Sequence, residues 1–357
     1  MKVLHLIDEP WDSGLTAYAI QIALLQKQAR MDVTLGVRPG KKPEALARES
    51  GLLTTPIASL LDLKRTLAHY PVDLINAHTG TTHTWAVVAK GLFLKGAQKN
   101  IPIVRTRGDA RALKVNFLSR FIYRRTAAVI CASDHIRKQY EVGFGLSEER
   151  ARTIYPSVEI DESVMMPPLR VVGILGRLDP VKGHTLFLEA AARVLQVMPG
   201  VQFLVGGKEA NVSVALLKNH ARQLGIQGAV QFLGYQPSAQ EFMRRCTVGV
   251  IASLGSEEVS RVCLEWMGVG RPVVGTLVGC LPELIEVGET GLLVPPGDSV
   301  AMGEALLRVL KGADEARRWG IQAYRVAAAR FSGKTQLEKT NRIYGWAMDR
   351  TVPRAQG

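Results

Sequence analysis

Long apolar runs, paired cysteines and metal-ligand spacings are all missing from this chain of 357 residues. No apolar stretch reaches the length of about 20 residues that crosses a bilayer, so the expectation is a protein that touches a membrane from outside at most. The four cysteines, Cys131, Cys246, Cys263 and Cys280, are widely separated within apolar patterns. They read as reduced core thiols of a cytoplasmic protein rather than as a disulfide framework or a zinc site. The opening MKVLHLIDEPWD turns acidic too soon for a signal peptide. Zinc-finger spacing, an aromatic RNA-binding signature and an arginine-rich segment are absent, which argues against nucleic acid as a partner. No Gly-x-Gly-x-x-Gly follows the first strand pattern, so the dinucleotide fingerprint is excluded.

What the chain does carry is positive charge and aliphatic residues. A net charge of +13, contributed by both halves, favours anionic partners such as phosphorylated sugar donors or an anionic membrane surface. The length implies about two domains.

Residues 248–276 read as strand, loop, helix, strand. The run 248–252 is short and β-branched, while Val259, Val262, Cys263, Trp266 and Met267 recur at helical spacing. Ser256 suits the N-cap, and Gly270 with Pro272 marks the stop. Glu257 then stands at the helix mouth, with Glu265 eight positions on. Both lie near the carboxyl end of a buried strand, where open α/β sheets bind ligands. An ionised carboxylate only accepts hydrogen bonds, so each can fix two adjacent hydroxyls. The alternative is a solvated helix face, on which Arg261 and Glu265 form an ordinary i,i+4 pair.

A second constellation follows the strand at 170–175: Gly176-Arg177-Leu178-Asp179-Pro180-Val181-Lys182-Gly183, before a helix over 185–197. Two cations around glycines, at a strand's carboxyl end and a helix's amino end, form a diphosphate clamp. The guanidinium binds two phosphate oxygens, the ammonium adds a point charge, and the helix end offers free N–H groups. The plainer alternative is a basic surface loop.

In the first half, a strand at 3–7, a loop at 8–14 and a helix at 16–28 open a βαβ unit, in which Gly14 would let backbone approach a ligand at the helix start. The strand at 72–77 delivers His78 at its carboxyl end, a position that faces a cleft rather than the core; the alternative is a structural histidine. The strand at 101–106 delivers Arg107-Gly108-Asp109-Ala110-Arg111. There Asp109 would orient a ligand hydroxyl, and Arg105, Arg107 or Arg111 would pair with ligand phosphates. Residues 114–125 alternate apolar side chains and arginine with helical periodicity. This is either a membrane-docking helix or a core-facing helix with a solvated basic face.

Glu257, seven residues, Glu265 and then Gly270-Arg271-Pro272-Val273-Val274 resemble the signature of the GT4-type glycosyltransferases. Gly176-Arg177 with Lys182-Gly183, the run Asp73-Leu74-Ile75-Asn76-Ala77-His78, and Pro156 with Val158 resemble further motifs of that family, so the likeness covers nearly the whole chain. Glu258 and Ser157 depart from it, each standing where the family often has Gly. The resemblance implies an α/β chain of GT-B architecture, with two doubly wound Rossmann-like domains facing across a cleft. Residues 1–161 would bind the acceptor and 162–334 the nucleotide-sugar donor, with a helix in 335–357 crossing back to the first domain.

It further implies retaining transfer of a sugar from a nucleotide diphosphate sugar to a hydroxyl of a glycan or lipid-linked acceptor, as in lipopolysaccharide or surface polysaccharide assembly. The donor side would comprise Arg177, Lys182, Gly207, Tyr235, Glu257, Glu265, Gly279, Cys280 and Leu281. Glu257 would face the sugar, Glu265 the ribose and Tyr235 the base, while backbone N–H groups near Gly279 and Leu281 would meet phosphate or sugar. The acceptor side would comprise Gly14, His78, Arg107 and Arg111, and His78, Glu257 and Asp109 are the catalytic candidates. No cofactor or metal is expected: the sequence has no Asp-x-Asp pair, and Arg177, Lys182 and helix dipoles can stabilise a leaving diphosphate. Rival readings are a transferase for a small soluble acceptor, a nicotinamide-dependent oxidoreductase, and a non-catalytic nucleotide- or carbohydrate-binding protein.

Overall fold

Short β-branched runs closed by Gly, Ser or His become strands, and the amphipathic stretches between them become helices, in the computed structural model, which describes residues 1–109, 111–161, 167, 170–255 and 257–350. Residues 162–166 and 168 of the linker region, and the expected helix cap Ser256, lie outside the described residues. The chain forms two units: Met1–Ser157 with the segment from Gly333 onward, and Val158–Ser332. No described helix is long and apolar enough to cross a membrane.

The first unit holds seven parallel strands: β1 Lys2–Leu6, β2 Asp32–Val37, β3 Leu53–Pro56, β4 Leu74–Ala77, β5 Ile103–Arg107, β6 Ala128–Cys131 and β7 Ala151–Thr153. Their order is β3-β2-β1-β4-β5-β6-β7. The central strands are buried along nearly their whole length, as a parallel sheet covered by helices on both faces requires. Strand order reverses between β1 and β4, where Val3 pairs with Leu74. The loops that follow these two strands therefore flank the ligand crevice of a doubly wound sheet. Ser13 caps the helix Gly14–Gln28 by accepting from the Thr16 amide at 3.1 Å. Thr79 and Thr82 cap the helix Gly80–Leu92 reciprocally. The last helix, Gly333–Asp349, packs on Gly14–Gln28, β5 and β6, placing Ile343, Tyr344 and Ala347 in one cluster with Val3, Leu74 and Val104.

The second unit holds six parallel strands: β8 Val171–Leu175, β9 Gln202–Gly206, β10 Val230–Gly234, β11 Val248–Ile251, β12 Val273–Thr276 and β13 Gly291–Val294, in the order β10-β9-β8-β11-β12-β13. Here the reversal falls between β8 and β11. The helix Arg261–Gly268 lies over them through Trp266, whose indole occupies the space a side chain on Gly249 would need. Phe242 meets Trp266 edge-on at 6.1 Å, an aromatic pairing that contributes about 0.5–1.5 kcal/mol beyond its area.

That helix begins later than its apolar spacing suggests. Its first residue is Arg261 and Ser260 precedes it without a side-chain cap bond. The reason is that Glu257 is held elsewhere: its carbonyl accepts from the Cys280 amide at 2.7 Å and its carboxylate from Lys182 and Ser253. The segment that follows is thus pulled into a bend. The basic helix is likewise shorter than 114–125, spanning Phe117–Arg124, because Asn116 and Ser119 close a capping box at its start.

Candidate functional site

In the second unit, the loops after β8 and β11 are tied together across the strand reversal. The Leu254 amide donates to the Val181 carbonyl at 2.8 Å, and Gly183 packs so closely on the Ala252 carbonyl that a Cβ there would collide with it. Gly183 also has a φ of +67°, so glycine is needed on both counts. This brings Lys182 Nζ onto Oε1 of Glu257, 75 positions away. Glu257 is 2% exposed, and Ser253 Oγ donates to the same oxygen at 2.5 Å. Ser253 is itself placed by Thr276 Oγ1, which donates to its carbonyl at 2.6 Å. A buried carboxylate with an ammonium and a hydroxyl is tolerated; with either partner gone it is a costly charge.

The pair lines a pocket of about 220 Å³ together with Gly176, Ser253, His184 and Arg261. His184 was not among the residues singled out from sequence. It is buried at the first position of the helix His184–Val197. Its ring approaches the Asp179 main chain, but neither nitrogen completes a hydrogen bond. Burial, reinforced by the Lys182 cation, pushes its pKa down to about 4, so a neutral imidazole with unmatched polar atoms borders the pocket. The available signal was its place directly after Lys182-Gly183 at the head of a helix.

Arg177 lies mostly in solvent, 3.5 Å from Oδ2 of Asp179. That carboxylate is already satisfied by the Val181 amide at 3.1 Å and Asn211 Nδ2 at 2.7 Å, the two contacts that chiefly hold its pKa below the usual carboxylate value. Glu265 does not line the pocket; it accepts from Arg261 Nε at 2.9 Å, the i,i+4 pair that its spacing also allowed. Tyr235 follows the edge strand β10 and is 70% exposed.

Two expectations for this side need correction. Gly207 does not open space for a ligand: a Cβ there would run into the Gly176 carbonyl, so its smallness lets two loops pack. The amides of Cys280 and Leu281 are not free for phosphate, because they donate to the carbonyls of Glu257 at 2.7 Å and Val278 at 3.1 Å. Gly279, with a φ of +54°, abuts the Glu257 main chain, so this loop buttresses the carboxylate from behind.

In the first unit, His78 turns inward instead of facing a cleft. It is fully buried, stacked on His5 with centroids 5.2 Å apart. His78 Nε2 lies 2.9 Å from His5 Nδ1, and His5 Nε2 lies 2.7 Å from the amide oxygen of Gln26. An amide oxygen only accepts, so His5 carries its proton on Nε2 and accepts at Nδ1 from His78. The Nδ1 lone pair of His78 is left without a partner. Burial holds His78 well below the usual histidine pKa and pushes His5 down to about 4.

Asp109 is not poised for an acceptor hydroxyl. Its Oδ1 accepts from Arg107 Nε at 3.3 Å and from the Arg111 amide at 3.2 Å. Arg107 is itself buried, lies 5.6 Å from the Tyr140 ring centroid and donates to the Arg111 carbonyl. The packed triad thus uses the groups expected to meet acceptor phosphate, leaving the Arg111 side chain exposed. Gly14 is exposed with open space at its Cβ position, so close approach does not require glycine there.

His5 and His184 set an acid limit on stability. With folded pKa values of about 4 against about 6.5 when unfolded, the folded chain binds fewer protons between these values. Their neutral forms favour folding fully above about pH 6.5, and this contribution is lost as pH falls towards about 4. At about pH 5 the loss is about 2 kcal/mol for each histidine. Calorimetry from about pH 7 to about pH 5 is expected to show a falling Tm, with a shallower fall in the His5→Asn variant.

Residues 169–312 match the family described as Glycosyl transferases group 1, and residues 13–162 match Glycosyltransferase Family 4. The chain is 26% identical over 308 residues to a D-inositol 3-phosphate glycosyltransferase of Corynebacterium urealyticum, covering 76% of this chain and 71% of that protein. It is 30% identical over 178 residues to a phosphatidyl-myo-inositol mannosyltransferase of Mycobacterium leprae, over 49% of this chain and 46% of that one. The crystal structure of HepE from Anabaena in complex with UDP has the same fold, with a TM-score of 0.82 at 22% identity over 97% of this chain and 100% of that chain. Two matched family regions, one in each unit, and a GT-B-like pair of parallel sheets lead to one assignment: the chain is a group 1, family 4 glycosyltransferase.

Proposed function

We propose that the second unit binds a nucleotide diphosphate sugar of the UDP type and that the chain transfers its sugar, with retention, to a hydroxyl of a phosphorylated or lipid-linked glycan. The observation that carries this reading is the pair of half-buried Lys182 with buried Glu257, facing a pocket at the strand reversal. Lys182 and the exposed Arg177 take the diphosphate, aided by the free N–H groups at the head of the helix His184–Val197. Glu257 accepts from sugar hydroxyls, Glu265 serves the ribose and Tyr235 the base. Gly207, Gly279, Cys280 and Leu281 frame the loops. In the first unit, the exposed Arg111 side chain and the head of the helix that starts at Gly14 are the groups left to meet the acceptor, with buried His78 and the Arg107–Asp109 pair supporting the loops behind them.

The chemistry asked of these residues is stabilisation of the departing diphosphate, whose oxygen takes the acceptor's proton on the same face of the sugar. Lys182, held by Glu257, the solvent-exposed Arg177 and a helix terminus supply that stabilisation in this reading. The names of the relatives, a D-inositol 3-phosphate glycosyltransferase and a phosphatidyl-myo-inositol mannosyltransferase, support a phosphorylated or lipid-borne acceptor, as would suit surface glycan assembly at the inner face of a membrane. The test is turnover of UDP-, GDP- and ADP-sugars with EDTA present, reading the product anomer by NMR. An α-linked product from an α-linked donor is expected. An inverted product, or turnover that stops on chelation, overturns the reading.

A further inference from the structure

The helix Phe117–Arg124 presents its apolar side chains to water. Phe117 is 86% exposed, Leu118 61% and Phe121 41%, while Ile122 points into the core. Side chains of this size clustered on one surface mark an interaction site rather than a solvated helix. The surroundings carry charge of one sign: from 110 to 133 the sequence has five cations, Arg111, Lys114, Arg120, Arg124 and Arg125, and no carboxylate. Arg125 lies 3.6 Å from the centroid of the Phe121 ring, so cation and apolar surface are interleaved.

A second observation lies on the flank of the same helix. Arg120 and Arg124, one turn apart, line a pocket of about 120 Å³ with Arg150, floored by Tyr123, Phe144 and Leu146. Arg150 is fixed there, donating from one nitrogen to the carbonyls of Tyr123 at 2.9 Å and Thr126 at 3.0 Å. Among the described residues, no ion pair joins any of these three arginines to a carboxylate. Three cations converging on a small concavity without an anion suit a phosphate group.

We propose that this surface docks the protein on an anionic lipid bilayer, with Phe117, Leu118 and Phe121 entering the headgroup–acyl boundary and the Arg120, Arg124 and Arg150 pocket taking a lipid phosphate. A bilayer is the occupant because an outward apolar ridge whose own segment, 110–133, carries cations and no carboxylate is complementary to apolar chains beneath a negative surface. The helix is about 12 Å long, so it supports reversible docking and not insertion. The proposal deepens the membrane-side acceptor suggested above and rests on that reading for its purpose. Its test reads lipid binding alone and is therefore separable from donor chemistry.

The experiment is co-sedimentation of the full chain with vesicles of phosphatidylcholine, alone or mixed with phosphatidylglycerol. Binding to the anionic vesicles is expected to be roughly 100-fold tighter, as about three arginines near the surface imply, and to weaken as salt screens it. The double variant Phe117→Ser, Phe121→Ser should lose vesicle binding while keeping the thermal shift produced by UDP. Arg120→Glu with Arg124→Glu should remove the preference for anionic lipid. Equal binding to both vesicle types, or unchanged binding by the serine variant, overturns the proposal. So does a thermal shift with inorganic phosphate that these arginines control while vesicles are ignored, which would make the pocket a site for soluble phosphate.

Discussion

Lys182→Ala is expected to weaken binding of a UDP-type sugar donor roughly 100-fold and to destabilise the unliganded protein by about 3 kcal/mol. The first effect follows from losing a charge-assisted contact to the diphosphate, the second from Glu257. That carboxylate is 2% exposed, and without the ammonium it keeps a buried charge against the Ser253 hydroxyl alone among the partners described. Burial without a counter-charge raises a carboxylate's pKa. In the variant, the folded state therefore gains a proton more readily than the unfolded state. The destabilisation should shrink as pH falls and be largest near neutrality. Thermal unfolding of both proteins from about pH 7 to about pH 5 checks this, and adding Glu257→Gln to Lys182→Ala should restore most of the lost stability. A loss independent of pH would mean that Lys182 acts through packing instead of charge.

Glu257→Gln should separate donor from product. In the resting protein Lys182 is engaged by Glu257, so a nucleoside diphosphate must draw the ammonium away from a buried charge. A sugar donor repays this by offering the hydroxyls of the transferred sugar to the carboxylate; the diphosphate product lacks that sugar and keeps only ribose hydroxyls, which face Glu265 in this reading. The neutral glutamine releases Lys182 and still accepts from Ser253. UDP affinity should therefore rise about 10-fold while kcat/KM for the donor falls about 100-fold, the magnitude of a hydrogen bond to a charged group. Isothermal titration with UDP and steady-state kinetics on the donor read the two effects separately. A parallel fall in both would show that Glu257 merely holds the loop.

Much of this architecture was legible from apolar periodicity, because parallel strands buried on both faces leave unbroken β-branched runs such as Val248–Ile251. Lys182 and Glu257 were legible as separate motifs at strand ends. Their direct pairing was not, since nothing local relates positions 75 apart. His78 was misread because a strand end has two sides: at the β1–β4 reversal, His5 from the neighbouring strand draws its ring inward. Gly207 and Cys280 were misread for a related reason, as a small residue or a free amide near a ligand site can equally serve the loop beside it. The basic helix showed the reverse. Periodicity located it, yet only the packed structure tells that Ile122 supplies its anchor while Phe117, Leu118 and Phe121 remain outside.

The most direct test of the account is calorimetric titration of the wild-type chain with UDP, GDP, ADP and CMP and their sugar conjugates, in EDTA. The account predicts that one nucleotide class binds, that its sugar conjugate binds more tightly than the bare diphosphate, and that chelation changes neither. Binding of none of these ligands, or of the bare diphosphate more tightly than its conjugate, would contradict the assignment of the Lys182–Glu257 pocket as the donor site.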